Sequence, residues 1–134
     1  MRSILLVGLA VLLSACSHTE RPPAQVGGVP PRVVVPRVDA DAPPRIVQLW
    51  LSRDAFGSGD RVAGQVTTSS NVASVEARVG GFGLPLHRTE FGRFAATLTV
   101  PTLPSFVKRT FDLRIIARNA SGEQREASLP IQVR

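Results

Sequence analysis

Apolar and polar residues alternate with a period of two over most of the chain beyond residue 45. Residues 46–51 read Ile-Val-Gln-Leu-Trp-Leu. In 61–68, Val62, Gly64 and Val66 share one face. In 72–79, Ala73, Val75, Ala77 and Val79 point one way, and Ser74, Glu76 and Arg78 the other. In 93–100, Phe94, Ala96, Leu98 and Val100 share a face; in 109–118, Phe111, Leu113, Ile115 and Ala117 do; in 123–133, Leu129, Ile131 and Val133 do. The short piece Leu84-Pro85-Leu86 completes the set, and its proline suits only a sheet edge. Period two predicts strands, and no window of adequate length carries the helical period.

Turn residues separate these runs: Ser58-Gly59-Asp60, Ser69-Ser70-Asn71, Gly80-Gly81 and Asn119-Ala120-Ser121-Gly122. About seven antiparallel strands, spaced roughly 8–12 residues apart, predict an all-β sandwich over 46–134. Two stacked sheets with these faces are expected to bury one continuous core.

The N-terminus has a different pattern. Arg2 precedes an almost unbroken apolar run, Ile4 to Leu13, followed by the small residues Ser14 and Ala15 and then Cys16. This is the tripartite layout of a secretory signal. The run has about ten residues, whereas a spanning helix needs roughly 20. Leu13-Ser14-Ala15-Cys16 resembles the lipobox of bacterial lipoproteins at every position. The resemblance implies that residues 1–15 are removed, that Cys16 is acylated on its thiol and its new amine, and that the chain is lipid-anchored in the cell envelope. Ser17, rather than Asp, follows the cysteine, which in that family favours the outer membrane, facing the periplasm. One acyl chain anchors only marginally, but two or more hold firmly.

Between the signal and the sandwich, residues 16–45 hold seven of the chain's 11 prolines, at 22, 23, 30, 31, 36, 43 and 44. Proline removes a backbone donor and extends the residue before it. The stretch predicts a disordered or polyproline-like tether, with Gly27-Gly28 as a joint. At about 3.1 Å per residue its full reach is on the order of 90 Å. Arg32-Val33-Val34-Val35 is β-prone and has a second reading, pairing with a sheet edge.

The formal net charge is +6, and Lys108 is the only lysine. Cys16 is the only cysteine, so no disulfide can form within one chain and the domain relies on burial. If 72–79, 109–118 and 123–134 share a sheet, Arg78, Arg114 and Arg118 lie on its outer face beside Glu76, Ile116 and Gln132. That face is a candidate site for an anionic envelope lipid or glycan.

Residues 109–133 resemble the last two strands of bacterial immunoglobulin-like and cadherin-like modules. The pattern is carried by Phe111, Leu113, Ile115, Ala117, Asn119 and Gly122, then Ile131 and Val133. Residues 59–66 and 72–79 resemble the second and third strands. The resemblance implies an immunoglobulin-like fold but no activity. Phe111 stands where such modules often carry tyrosine, so a corner hydroxyl bond is missing.

Catalytic chemistry has little to build on. His18 lies in the tether, and His87 near Glu90 lacks an accompanying nucleophile. Two such histidines do not make a zinc site. Asp54 and Asp60 flank a glycine turn and are too few for calcium. Asp39 and Asp41 read as solvated tether residues. Asn119-Ala120-Ser121 matches a glycosylation acceptor but reads as turn chemistry. The expectation is a protein without catalysis, metal or cofactor, whose partners are membrane lipid through Cys16 and an envelope protein, with no nucleic acid. Its module would serve docking, adhesion or assembly.

Overall fold

The structure is a computed structural model that describes residues 22–134; the signal peptide, Cys16 and His18 lie outside them. The strands are β1 (Ala24–Val26), β2 (Ile46–Leu51), β3 (Ala55–Phe56), β4 (Arg61–Thr68), β5 (Val72–Val79), β6 (Phe82–Pro85), β7 (His87–Glu90), β8 (Arg93–Thr99), β9 (Thr110–Asn119) and β10 (Gln124–Val133). A 3₁₀ turn, Ser105–Val107, lies in the β8–β9 connection. Two five-stranded sheets result, ordered β1-β2-β4-β8-β7 and β3-β10-β9-β5-β6. This is the all-β sandwich that the alternation predicts. β6 is an edge strand, as its proline requires.

Two features depart from a plain antiparallel arrangement. β1 runs parallel to β2, and β3 runs parallel to β10. A bulge between Val72 and Ser74 shifts the β5 register against β9. It turns Val72 inward, 1% exposed, and leaves Ala73 at the surface. Strict alternation assigns Ala73 to the interior, and one extra residue reverses that locally.

The largest correction concerns residues 22–45. They are extended and proline-rich, as expected, but they are docked on the sandwich rather than standing free. β1 adds to the edge of the first sheet, the Leu49 N–H donating to the Pro23 carbonyl at 2.9 Å. Gly27 and Gly28 take φ of 74° and 68°, a left-handed pair that turns the chain away from the edge. The Trp50 indole N–H donates to the Gly27 carbonyl at 3.0 Å.

Beyond the turn the chain reaches the β7–β8 corner. Arg32 pairs with Glu90 at 3.1 Å, and Arg93 donates to the Val33 carbonyl at 2.6 Å. Val35 then covers Gly92, where any Cβ would lie 2.8 Å from the Thr68 carbonyl oxygen. Finally, 36–45 folds over the β4–β5 turn. Ser70 N–H donates to the Pro36 carbonyl, Ser69 N–H to the Arg45 carbonyl, and Asn71 and Asn119 both donate to the Ala42 carbonyl.

Proline content explains this mode of docking. A proline-rich segment offers carbonyls but few N–H groups, so it cannot make a full ladder. Side-chain and turn donors on the domain supply what the segment lacks. In return the segment covers Thr68, Ser69 and Asn119, which are almost fully buried.

The core sits under this strap. Leu49, Val66, Phe94, Val75, Ile115, Ala117 and Ala127 pack between the sheets. This cluster lies in the half of the sandwich nearest the β4–β5 turn, and beyond it Leu51, Val100, Ile131 and Val133 are buried around a cavity rather than joined to the cluster.

Candidate functional site

The other half of the sandwich is hollow. A cavity of about 500 Å³ lies between the sheets, beyond Phe94 and Val66. Its origin can be read along two paired strands. Val66 pairs with Phe94 across β4 and β8, and the pair fills the space between the sheets. One inward step along, the partners are Gly64 and Ala96. Together they contribute a single methyl group where the previous pair contributed a valine and a phenylalanine.

Opposite them, Ala77 on β5 is also small. The inward residues Val62, Leu98, Val79, Phe111, Leu113 and Leu129 are therefore only half-buried, although all lie on the predicted inner faces. A packed interior has few voids larger than a water molecule.

The lining is almost wholly carbon. Gln65 and Trp50 alone carry polar side-chain atoms, and both occupy outward positions of their strands. The exposed lining residues Gly80, Gly81, Phe82 and Pro101 mark the mouth, at the end that also carries the Ser105–Val107 turn. Phe82 and Phe106 stand out there, 56% and 81% exposed. The Arg109 guanidinium lies 4.8 Å from the centroid of the Phe111 ring, which lines the cavity. Leu103 in the connection is fixed by its N–H donating to the Ser58 hydroxyl at 2.8 Å.

The outer arginine face forms as expected but is largely self-neutralised. Arg78, Arg114 and Arg118 lie on the outer face of β5 and β9. Arg78 binds the Glu76 carboxylate at 2.9 Å, and Arg118 reaches its other oxygen at 3.4 Å. Arg114 stands 3.9 Å from Glu126. The Arg78 hydrogen bond, aided by Arg118, holds the Glu76 carboxyl below the usual carboxylate range. An anionic ligand would have to displace these carboxylates. Ile116, between Glu76 and Glu126 in register, is 4% exposed despite facing outward, because the long side chains around it cover it.

The remaining candidates are not brought together. His87 is exposed on β7, and Glu90 pairs with Arg32 and Arg93 rather than with the histidine. Asp60 accepts the Gly57 N–H at 2.9 Å and pairs with Arg53. Asn119 is buried, accepting the Glu123 N–H while donating to Ala42. Among the described residues, no three His, Cys, Asp or Glu side chains are grouped as metal ligands. Also among them, no helix is long and apolar enough to cross a membrane.

No protein-family model and no curated protein matches the chain. Solved structures do. A DUF4785 family protein from Legionella pneumophila superposes with a TM-score of 0.52 at 14% identity, over 63% of this chain and 27% of that one. The chain therefore spans about a quarter of that protein's length. Fibronectin(III)-like modules of Clostridium thermocellum CbhA give 0.48 at 19% identity, over 67% of this chain and 93% of theirs. The SrpA adhesin of Streptococcus sanguinis gives 0.45 at 22%, over 69% and 57%. At such identities the likeness concerns fold alone, and the chain is an all-β sandwich of two five-stranded sheets.

Proposed function

We propose that this protein is a lipid-anchored component of the cell envelope, held at the outer membrane by acylated Cys16 and facing the periplasm. Its immunoglobulin-like module docks an envelope protein, in adhesion or assembly, without catalysis. The observation that carries the docking role is the exposure of Phe82 at the rim of a carbon-lined opening, with exposed Phe106 in the connection whose Leu103 and Val107 line the same cavity. Exposed aromatic groups beside an apolar opening mark interaction surfaces. The anchor rests on the lipobox, Leu13-Ser14-Ala15-Cys16. The non-catalytic reading is supported by the separation of His87 from any nucleophile and from the Glu90 carboxylate.

A photo-crosslinking amino acid at position 106, in cells of the native host, tests the docking role. A reproducible protein adduct is expected there and not from position 128, on the outer face of β10. An absence of any protein adduct at 106 removes the docking role. In the same cells Cys16→Ser is expected to shift the protein to the soluble fraction, and a variant that stays membrane-bound removes the anchor.

A further inference from the structure

The cavity has a chemistry of its own, separate from the aromatic side chains around it. We infer that it is a binding site for one long acyl chain of an anionic amphiphile, a free fatty acid, with the chain between the sheets and the carboxylate on Lys108 and Arg109. This goes beyond the docking role and does not depend on it.

Three observations converge. The first is capacity. About 500 Å³ lies within the range of sites that enclose small-molecule ligands, and the walls are almost wholly carbon. Apolar cavities stay dry and accept apolar guests.

The second is the charge at the mouth. Arg78, Arg114 and Arg118 on the outer face all have carboxylate partners. Among the described residues, Lys108 and Arg109 form no ion pair, and Arg109 lies against the ring of a lining residue. A cation against the wall of a carbon-lined cavity, with an exposed lysine next to it in the chain, matches a ligand with one anionic end and a long apolar one.

The third is the rim. Gly80 has φ of 56°, so its backbone demands glycine. Gly81 has no such requirement, and a Cβ there would meet nothing within 4 Å. Neither backbone geometry nor crowding accounts for the missing side chain, and its absence leaves the entrance open.

The chain's own lipid is poorly placed to be the occupant. Pro22 and Pro23 lie beside Ile46, Val47 and Ala127, at the end of the sandwich opposite the mouth.

The test uses the mature chain with Cys16→Ser, which carries no acyl group and needs no detergent. Fluorescent cis-parinaric acid is expected to bind one to one and to be displaced by palmitate. Each buried methylene changes affinity about fourfold, so octanoate should be at least a hundredfold weaker. Ala96→Leu places a larger side chain in the cavity and should weaken palmitate at least tenfold without lowering Tm. Lys108→Gln with Arg109→Gln should weaken palmitate about tenfold and leave 1-dodecanol unchanged.

Equal binding of octanoate and palmitate overturns the inference, as does undiminished binding by the stably folded Ala96→Leu variant. If native lipidated protein refuses parinaric acid while Cys16→Ser binds it, the occupant is the protein's own acyl group and the inference falls. A protein adduct at position 106 without fatty-acid binding defeats this inference and leaves docking intact. Fatty-acid binding without the adduct does the reverse.

Discussion

The two halves of this sandwich are built from the same strands and the same alternation, yet one is packed and the other hollow. In the packed half Val66 faces Phe94, and Phe94 is 1% exposed. Two residues further along each strand, Gly64 faces Ala96. Alternation decides which face a residue takes, whereas side-chain volume decides whether that face closes against the other sheet. The packed half also carries the strap, whose carbonyls accept from Asn71, Asn119 and Arg93. The hollow half carries the 101–109 connection, tied to the domain by the Leu103 N–H donating to the Ser58 hydroxyl and the Val133 N–H donating to the Arg109 carbonyl.

The difference can be broken or sharpened by three substitutions. Phe94→Ala should have the largest effect, costing about 3–5 kcal/mol, because it empties the centre of the packed half. Urea unfolding measures it, and a loss under about 1 kcal/mol would mean that this half is no better packed than the other.

Asn119→Ala should cost about 1–3 kcal/mol, since it removes two hydrogen bonds, one of the two donors to the Ala42 carbonyl of the strap and the acceptor of the Glu123 N–H. Hydrogen exchange should rise at Ser69 and Ser70, whose amides are covered by Arg45 and Pro36. Unchanged protection there would show that the strap is held without the Asn119 bonds.

Leu98→Ala in the hollow half should have the smallest effect, about 1 kcal/mol, because its side chain already borders open space and is only half-buried. A cost equal to that of Phe94→Ala would mean that the cavity closes in solution.

The sandwich itself was legible in the sequence because β2, β4, β5, β8, β9 and β10 each carry enough alternating residues to set a face. β1, β3 and β7 were not legible. Ala24–Val26 and His87–Glu90 are exposed throughout, and Ala55–Phe56 has two residues, so none shows a period. Their pairing is decided by neighbours elsewhere in the chain.

The strap was missed for a related reason. Proline spacing predicts extended backbone, but docking depends on donors as distant as Asn119, which reads locally as turn chemistry. Of the candidate site, the alternation puts Arg78, Arg114 and Arg118 on one sheet face, and their pairing with Glu76 and Glu126 depends on the register of three strands. The cavity did leave a mark in the sequence, in Gly64, Ala96 and Gly80-Gly81. Inward glycine and alanine at those positions are ambiguous until their cross-strand partners are known.

The docked strap changes how far the module can stand from a bilayer. Under the anchor proposed at Cys16, only the six steps to Pro22 would be available to span the gap. Fully stretched they cover about 20 Å, a fraction of what a free proline-rich tether would allow. Under that proposal the packed end, where Pro22 and Pro23 lie, is the end nearer the anchor, and the mouth of the cavity is the end farther from it.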